Sequence, residues 1–342
     1  MRRFLVSLSP LKTHPGFWLL TGLLVLLALL LLGLRIGSYA TDYGFILRSL
    51  GHYNPHDPAQ LVVWQLRLPR LLLAALAGAS LALSGYLLQT LVNNPLADPY
   101  LLGTASGASL GAIATYVLWP SLTFAGLYLP PLAALAGALS ATLLVVSIGS
   151  KKGRIQPAPL LLAGVAVGAL AAALGTLLTF LARPDGSLRT IVFWAFGSFE
   201  RAGWDVLPYP AVVLALSLAL LAFLQKDLNL LLLGEERAQA LGLPVRRLRW
   251  LLVGVVAALT GGVVALCGPV GFVGLLVPHL TRGLLGTTGR FNLVFCALLG
   301  ANFLLACDML ARVLYPPAGL PVGLVTALFG VPFFVYLLRK KA

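Results

Sequence analysis

The chain has 342 residues, of which 59% are hydrophobic and 10% charged, and its mean hydropathy is +0.96. A soluble domain is nearer half apolar and a quarter charged, so the composition excludes a water-soluble protein and points to an integral membrane protein. The formal net charge of +14 does not signal a nucleic-acid partner, because the basic residues stand in short clusters between apolar runs, the pattern that sets membrane topology.

In chain order, Arg2, Arg3 and Lys12 precede a first apolar run over residues 17–34. A signal peptide has a shorter apolar region, roughly 7–15 residues, so this run is expected to be an uncleaved span that starts in the cytoplasm. Cleavage after Ser38-Tyr39-Ala40 is the alternative. About 20 residues cross the hydrocarbon. Charge spacing then places further spans at 71–92, twice within the uncharged stretch 99–150, and at 158–182, 206–224, 250–267, 272–285, 291–306 and 320–338. Pro120 and Pro130-Pro131 bracket the turn inside 99–150. Ten crossings return the C-terminus to the cytoplasm, and every lysine then lies on the inner side, as the positive-inside rule asks.

The span at 71–92 runs into Asn93-Asn94-Pro95 and then Gly103, Gly107 and Gly111. The one ending at Cys267 runs into Gly268-Pro269 and then Gly271, Gly274 and Pro278. Pro/Gly-interrupted segments at matching places in two halves point to two inverted repeats. Gly103, Gly107 and Gly111 are four apart and form one face that lets helices approach closely. The expected fold is an all-α integral membrane protein of about ten transmembrane helices, one domain over 1–342, with residues 1–60 as a first span and outer loop.

Residues 227–249, DLNLLLLGEERAQALGLPVRRLR, form the longest charged interruption. They hold a short punctuated helix. Gly234 serves as N-cap, and Glu235 and Glu236 put negative charge in the first turn, where the helix dipole favours it. Gly242 stops the helix and Pro244 prevents its continuation. Ala238 and Leu241, three apart, are expected on one face. The spacing fits two readings, a helix that docks into a groove on another protein and an ordinary loop helix between spans.

No GxxxxGK[ST], GxSxG or HExxH occurs, so neither a phosphate loop nor a catalytic constellation is expected and the chain is not read as an enzyme. His279 reads as a hydrogen-bonded structural histidine. Cys267, Cys296 and Cys307 lack CxxC spacing and read as small core residues, without a disulfide framework or metal site. Asp98 and Asp308, the acidic candidates near the spans, fall at span ends, which weighs against an ion-coupled secondary carrier, the alternative from another class. Arg67 and Arg70, three apart at the outer mouth of the second span, fit either snorkelling at the membrane boundary or docking of a carboxylate.

Five stretches carry a resemblance. They are GEERAQALGLP at 234–244, Arg67-Leu68-Pro69-Arg70 leading into GASLALSGYLLQTLVNNPLADPYLLGTASGASLGA at 78–112, GSF at 197–199 followed by Trp204, GPVGFVGLLVPHLTR at 268–282, and LPVGLVTALFGVPFFVYLL at 320–338. Together they resemble the permease subunits of ABC importers for iron-siderophores, haem and cobalamin, the FecCD-type or type II importers. The likeness covers nearly all of the chain from Arg67 onward, in the family's order, and makes residues 61–342 the family core.

The resemblance implies a cobalamin-importer-permease-like subunit that forms a homodimer with the pathway at the dimer interface. It implies two ATP-binding subunits on the cytoplasmic face, docked at 227–249, with Gly234, Glu235, Arg237, Ala238, Leu241 and Gly242 as coupling residues. It implies an extracytoplasmic substrate-binding protein whose glutamates meet Arg67, Arg70 and Arg312. By position it places a cytoplasmic gate at Gln156, Pro157 and Ala158, although the family often has small hydroxyl residues there. No cofactor is expected on the chain itself, since ATP and Mg belong to the partner ATPase; membrane lipid is the remaining partner. The implied function is a multi-pass permease of the bacterial or archaeal inner (plasma) membrane, both termini cytoplasmic, moving an iron(III)-siderophore complex, with haem or cobalamin as alternative cargo.

Overall fold

The computed structural model describes residues 14–37, 42–51, 53–119, 123–124, 127–151, 154–181, 194–316 and 319–341. The expectations placed on Arg2, Arg3, Lys12, residues 38–40, His52, Pro120, Lys152 and Gly153 lie outside them. The helices are α1 (Pro15–Arg35), α2 (Tyr43–Gly51), α3 (Pro58–Leu91), α4 (Thr104–Leu118), α5 (Leu129–Gly149), α6 (Pro157–Leu181), α7 (Pro208–Phe223), α8 (Gln225–Leu231), α9 (Glu235–Ala240), α10 (Val245–Cys267), α11 (Val273–Leu285), α12 (Asn292–Leu314) and α13 (Val322–Lys341). Two antiparallel pairs of two-residue strands, β1–β2 (Thr123–Phe124 with Leu127–Tyr128) and β3–β4 (Ser150–Lys151 with Arg154–Ile155), close the α4–α5 and α5–α6 turns.

Among the described residues, α1, α3, α5, α6, α10 and α12 are each long and apolar enough to cross a bilayer. α7 and α8 are long and apolar enough together but are bent by 71° where they join, and α4, α11 and the Val322–Tyr336 part of α13 are shorter apolar helices. An apolar helix therefore stands at each of the ten expected places.

The largest departures from the sequence reading are at α3 and α12. α3 begins at Pro58, not near residue 71, because Asp57 caps it, accepting from the Ala59 amide, and Pro58 presets the first turn. The helix then continues through a π-helical stretch, Val62–Arg67. α12 runs to Leu314, well past the expected end at Ala306. Asp308 and Arg312, which marked the end of the apolar run, neutralise each other inside the helix as an i,i+4 pair.

α3 is central: 83% of its most apolar window is buried, against 11% for α1 at the periphery. It crosses α12 and α11 where side chains vanish. A Cβ on Gly78 would overlap the Gly300 carbonyl, and one on Gly85 the Gly274 backbone. Such small-residue crossings let backbones touch where lipid provides no hydrophobic drive for association.

The two interrupted segments meet in the middle of the bundle. The Tyr100 hydroxyl donates to the Val270 carbonyl (2.9 Å) and accepts from the Val270 amide (2.8 Å). Each segment carries a non-glycine residue in the left-handed region, Asn93 (φ 49) and Phe272 (φ 69), a conformation that costs energy and persists where surroundings impose it. Residues 194–199 complete this region, with the Ser198 amide donating to Cys267 O (2.8 Å) and the Val322 amide to Gly197 O (3.0 Å). The backbone groups freed by broken helices are thus met inside protein, the condition for irregular chain at membrane depth. Cys267, Cys296 and Cys307 are free and buried.

Side-chain bonds fix which helix ends lie together. One end of the bundle joins Arg67 to Leu34, Arg70 to Asp308, Trp204 to Trp64 and Arg201 to Tyr116. The opposite end joins Arg249 to Ile155 and Glu235, Gln225 to Gly289, and Arg282 to Thr90. The first is called the arginine end and the second the α9 end. The start of α1 and the finish of α13 both point to the α9 end.

Candidate functional site

At the α9 end, α9 is a single rigid piece set between two glycines. Gly234 has φ +97 and Gly242 φ +84, with no atom within 4 Å of an added Cβ at either. Backbone conformation, not crowding, therefore requires glycine there. The C-terminus closes as a Schellman motif: the Leu243 amide donates to Ala238 O (3.0 Å) and the Gly242 amide to Gln239 O (2.9 Å). Leu243 is buried beneath it.

The structure corrects one expectation here. Ala238 and Leu241 do not share a face, since Ala238 is 0% exposed in the chain's own core and Leu241 is 61% exposed. Leu241 sits at the C-cap, outside regular helical geometry, so the i,i+3 rule does not reach it. The outward surface consists of Leu233, Glu236, Arg237, Gln239, Ala240 and Leu241.

The expected gate residues lie at the same end. Gln156 and Ala158 are exposed and Pro157 is half-buried. Gln156 sits just before α6, its amide donating to Gly149 O (3.3 Å) and its carbonyl accepting from the Leu160 amide (3.0 Å). Between this turn and α9 stands Arg249, one turn into α10. Its side chain is 8% exposed, and Nη1 donates to both Glu235 Oε2 and Ile155 O, each at 2.8 Å. In the sequence Arg249 stands only as the last residue of the charged interruption at 227–249. A signal was present: Val245, Leu248, Leu252 and Val256 form the buried stripe of α10, and Arg249 falls within it. A charge in an apolar stripe requires a partner.

At the arginine end, Arg67, Arg70 and Arg312 line one cavity, and Arg70 and Arg312 flank a residue not assigned to the site, Asp308, which is 0% exposed. Arg70 Nε and Nη2 both reach Asp308 Oδ1 (3.0 and 2.9 Å). Arg312 Nε lies 3.1 Å from Asp308 Oδ2, and its Nη1 donates to Ile36 O (3.1 Å). Arg67 is 5% exposed and donates to Leu34 O (2.6 Å), covering a carbonyl left open at the end of α1. The three arginines and Glu200 line a cavity of about 510 Å³ with Phe199 and Pro316.

The expected glycine face divides in two. A Cβ on Gly107 would overlap the Gly137 carbonyl, and one on Gly111 that of Ala133, both on α5. Gly103 instead precedes α4 with φ +74, where its Cβ would meet Val145 at 3.3 Å; its requirement is primarily conformational. Near the α9 end, Arg282 bonds the Gln89 side chain, Tyr86 O (3.2 Å) and Thr90 Oγ1 (3.3 Å) and lies 4.4 Å over the Tyr86 ring. It thereby satisfies open carbonyls and polar side chains at the end of α3. The His279 ring stands edge-on to Phe333.

Comparison with known proteins bears on the chain as a whole. The cobalamin import system permease of Halobacterium salinarum is 43% identical over 287 residues, 83% of this chain and 75% of that protein. The Fe(3+)-citrate import system permease of Bacillus subtilis is 36% identical over 97% of both chains, and the hemin transport system permease of Yersinia pestis 40% identical over 93% and 94%. A solved structure described as an inward-facing conformation of a metal-chelate type ABC transporter aligns with a TM-score of 0.81 at 34% identity, covering 94% of this chain and 98% of that one. The FecCD transport family model matches residues 24–340. With a family match over almost its whole length and a fold that superposes on a metal-chelate type ABC transporter, the chain belongs to the FecCD transport family of ABC importer permeases.

Proposed function

We propose that the chain acts as a homodimer in the bacterial or archaeal plasma membrane and passes an iron(III)-siderophore complex along its dimer interface. The α9 end faces the cytoplasm, where two ATP-binding subunits dock and supply ATP and Mg. The arginine end faces outward and receives a substrate-binding protein. The permease makes and breaks no bonds; ATP binding and hydrolysis in the partner switch its access between the two sides.

The observation that carries this reading is α9 itself. A helix this short is marginal alone in water, yet this one has left-handed glycines at both ends, a Schellman cap and an outward surface with Leu233, Arg237 and Leu241, beside the turn at Gln156, Pro157 and Ala158. Such caps are common at helix ends; what favours docking is that so short a helix leaves Leu233 and Leu241 exposed beside Arg237. Gly234, Glu235, Gly242 and buried Ala238 shape the piece, and Arg237 and Leu241 offer the contact. At the other end Asp308 and Glu200 offset part of the charge of Arg67, Arg70 and Arg312, leaving the cavity positive. That suits a carboxylate on a binding protein. Arg70 is the most accessible of the three, and Arg67 supports from behind.

An iron chelate is favoured by the Fe(3+)-citrate permease, which matches over 97% of both chains. Cobalamin is the second reading, favoured by the 43% identity of the halobacterial relative. The test is ATP-driven uptake into proteoliposomes holding the permease, its ATPase and its binding protein. Iron-siderophore uptake that excess cobalamin or haem does not inhibit is expected. Cobalamin or haem uptake without iron uptake overturns the substrate, and uptake without the ATPase overturns the importer mechanism.

A further inference from the structure

We propose that Arg249 is the positioning residue that transmits movement of α9 to the turn at Gln156–Ala158, one guanidinium nitrogen holding both; this rests on the reading of α9 as the ATPase dock and of that turn as the gate. Nη1 carries two hydrogens, and each has an acceptor on a different segment. One is Glu235 Oε2, which opens α9, and the other is Ile155 O, one residue before Gln156. Both distances are 2.8 Å, the short range of charge-assisted bonds.

The rest of the surroundings make this tie the rigid route between the two segments. Ile155 is buried, so its carbonyl cannot retreat to water. Gln156, the next residue, is held by its amide to the end of α5 and by its carbonyl to the first turn of α6. A displacement at Ile155 is therefore delivered to the start of α6. On the other side, Gly234 and Gly242 bound α9, and Glu235 is further fixed by the Gln239 side chain (3.1 Å). Arg249 itself projects from α10, whose stripe of Val245, Leu248 and Leu252 anchors it in the core.

One donor of the guanidinium is left open. Arg249 Nε is buried and has no hydrogen-bond partner among the described residues. A purely structural buried arginine is expected to have its donors met. A donor left open in one conformation is available to a carbonyl or carboxylate that approaches in another. The pair also sits at the boundary of burial, with Glu235 36% exposed on its side chain.

The experiment uses the full complex of permease, ATPase and binding protein in proteoliposomes. Three variants are compared, Arg249→Met, Arg249→Lys and Glu235→Gln. Two quantities are read: substrate imported per ATP hydrolysed, and the distance between spin labels at Gln156→Cys in the two permease copies, with and without ATP and vanadate. The wild type should show an ATP-dependent change in distance. In Arg249→Met that change should vanish, and import per ATP should fall about tenfold, the size of an ordinary coupling energy. Arg249→Lys, which keeps a charged nitrogen with several hydrogens, should retain more coupling than Met. A packing role predicts the reverse order, because Met fills an apolar stripe better than Lys.

Glu235→Gln, on the exposed side of the pair, provides the readout if the Arg249 variants do not assemble, and it should lower import per ATP severalfold. Wild-type coupling and wild-type label movement in Arg249→Met or Glu235→Gln overturn the role of Arg249 alone. A wild-type complex whose labels do not respond to ATP overturns the gate reading, and the proposal with it.

Discussion

At Gly107 a single hydrogen sets the distance between two helices. Its Cα faces the Gly137 carbonyl and the Ala141 methyl, so Gly107→Leu must push α4 from α5. Overpacking of this kind costs about 1–3 kcal/mol or more, and the expected result is a lower melting temperature in detergent with loss of transport following from it. Asp308 is the second residue on which much depends. It is fully buried and faces two guanidinium groups. Asp308→Asn leaves both without a counter-charge, and breaking a buried pair costs about 3–5 kcal/mol; thermal unfolding of the purified permease measures it. The same geometry changes how the arginine end should be probed. Reversing Arg67 and Arg70 to Glu would expose the end of α1 and set a carboxylate against Asp308, so the fold would suffer before docking was tested. Raising salt leaves the fold in place. Affinity of the wild-type complex for its binding protein should fall as ionic strength rises, and constant affinity rules out a charged anchor.

At the scale of the element, α9 separates shape from contact. Leu241→Asp alters an exposed side chain, so folding stability should stay within about 0.5 kcal/mol of wild type. Uptake should nevertheless be abolished, because the carboxylate would be buried unpaired against the ATPase. Ala238→Asp places the same group in the permease's own core and should prevent folding. Full transport by a stable Leu241→Asp complex excludes α9 as the dock. The sequence made the limits of this helix legible, because Gly234 and Gly242 are required by backbone geometry that any fold would impose. It did not reveal which side faces inward. Six residues are too few for a periodic pattern, and Ala238 and Leu241 differ little in kind. Arg249 was hidden for a related reason. A lone arginine near a span end looks like a topology marker until the acceptors from other segments, Glu235 and Ile155, are in view.

For the whole molecule, the apolar runs and the charges between them were enough to place ten helices, since membrane thickness limits what each run can do. The places that escaped were those where charges cancel in space. Asp308 stood as the end of a span and proved to lie within the helix, with Arg312 in its last turn. The connection of the two interrupted segments through Tyr100 and Val270 joins residues 170 apart and has no local signature. The in-and-out assignment is testable with a membrane-impermeant maleimide. The three native cysteines are buried, so background labelling should be low. Gly16→Cys and Gln239→Cys should react only from the cytoplasmic side, and Tyr315→Cys only from outside; the opposite pattern inverts the topology.

The Arg70–Asp308 pair also constrains the order in which the protein is made. The two residues are 238 positions apart, and synthesis proceeds at about 5–20 residues per second, so Arg70 emerges roughly 10–50 seconds before its counter-ion exists. Throughout that interval α1 and α3 stand in the membrane without α12. Their arginines then have water and lipid headgroups as partners, with carbonyls such as Leu34 O as the nearest internal acceptor. Nascent chains released before residue 308 should accordingly insert their early spans yet remain open to proteases at the arginine end, and protection should arrive abruptly once α12 has been translated. Quality control at the membrane would thus read the last quarter of the chain, whichever part of it carried a defect.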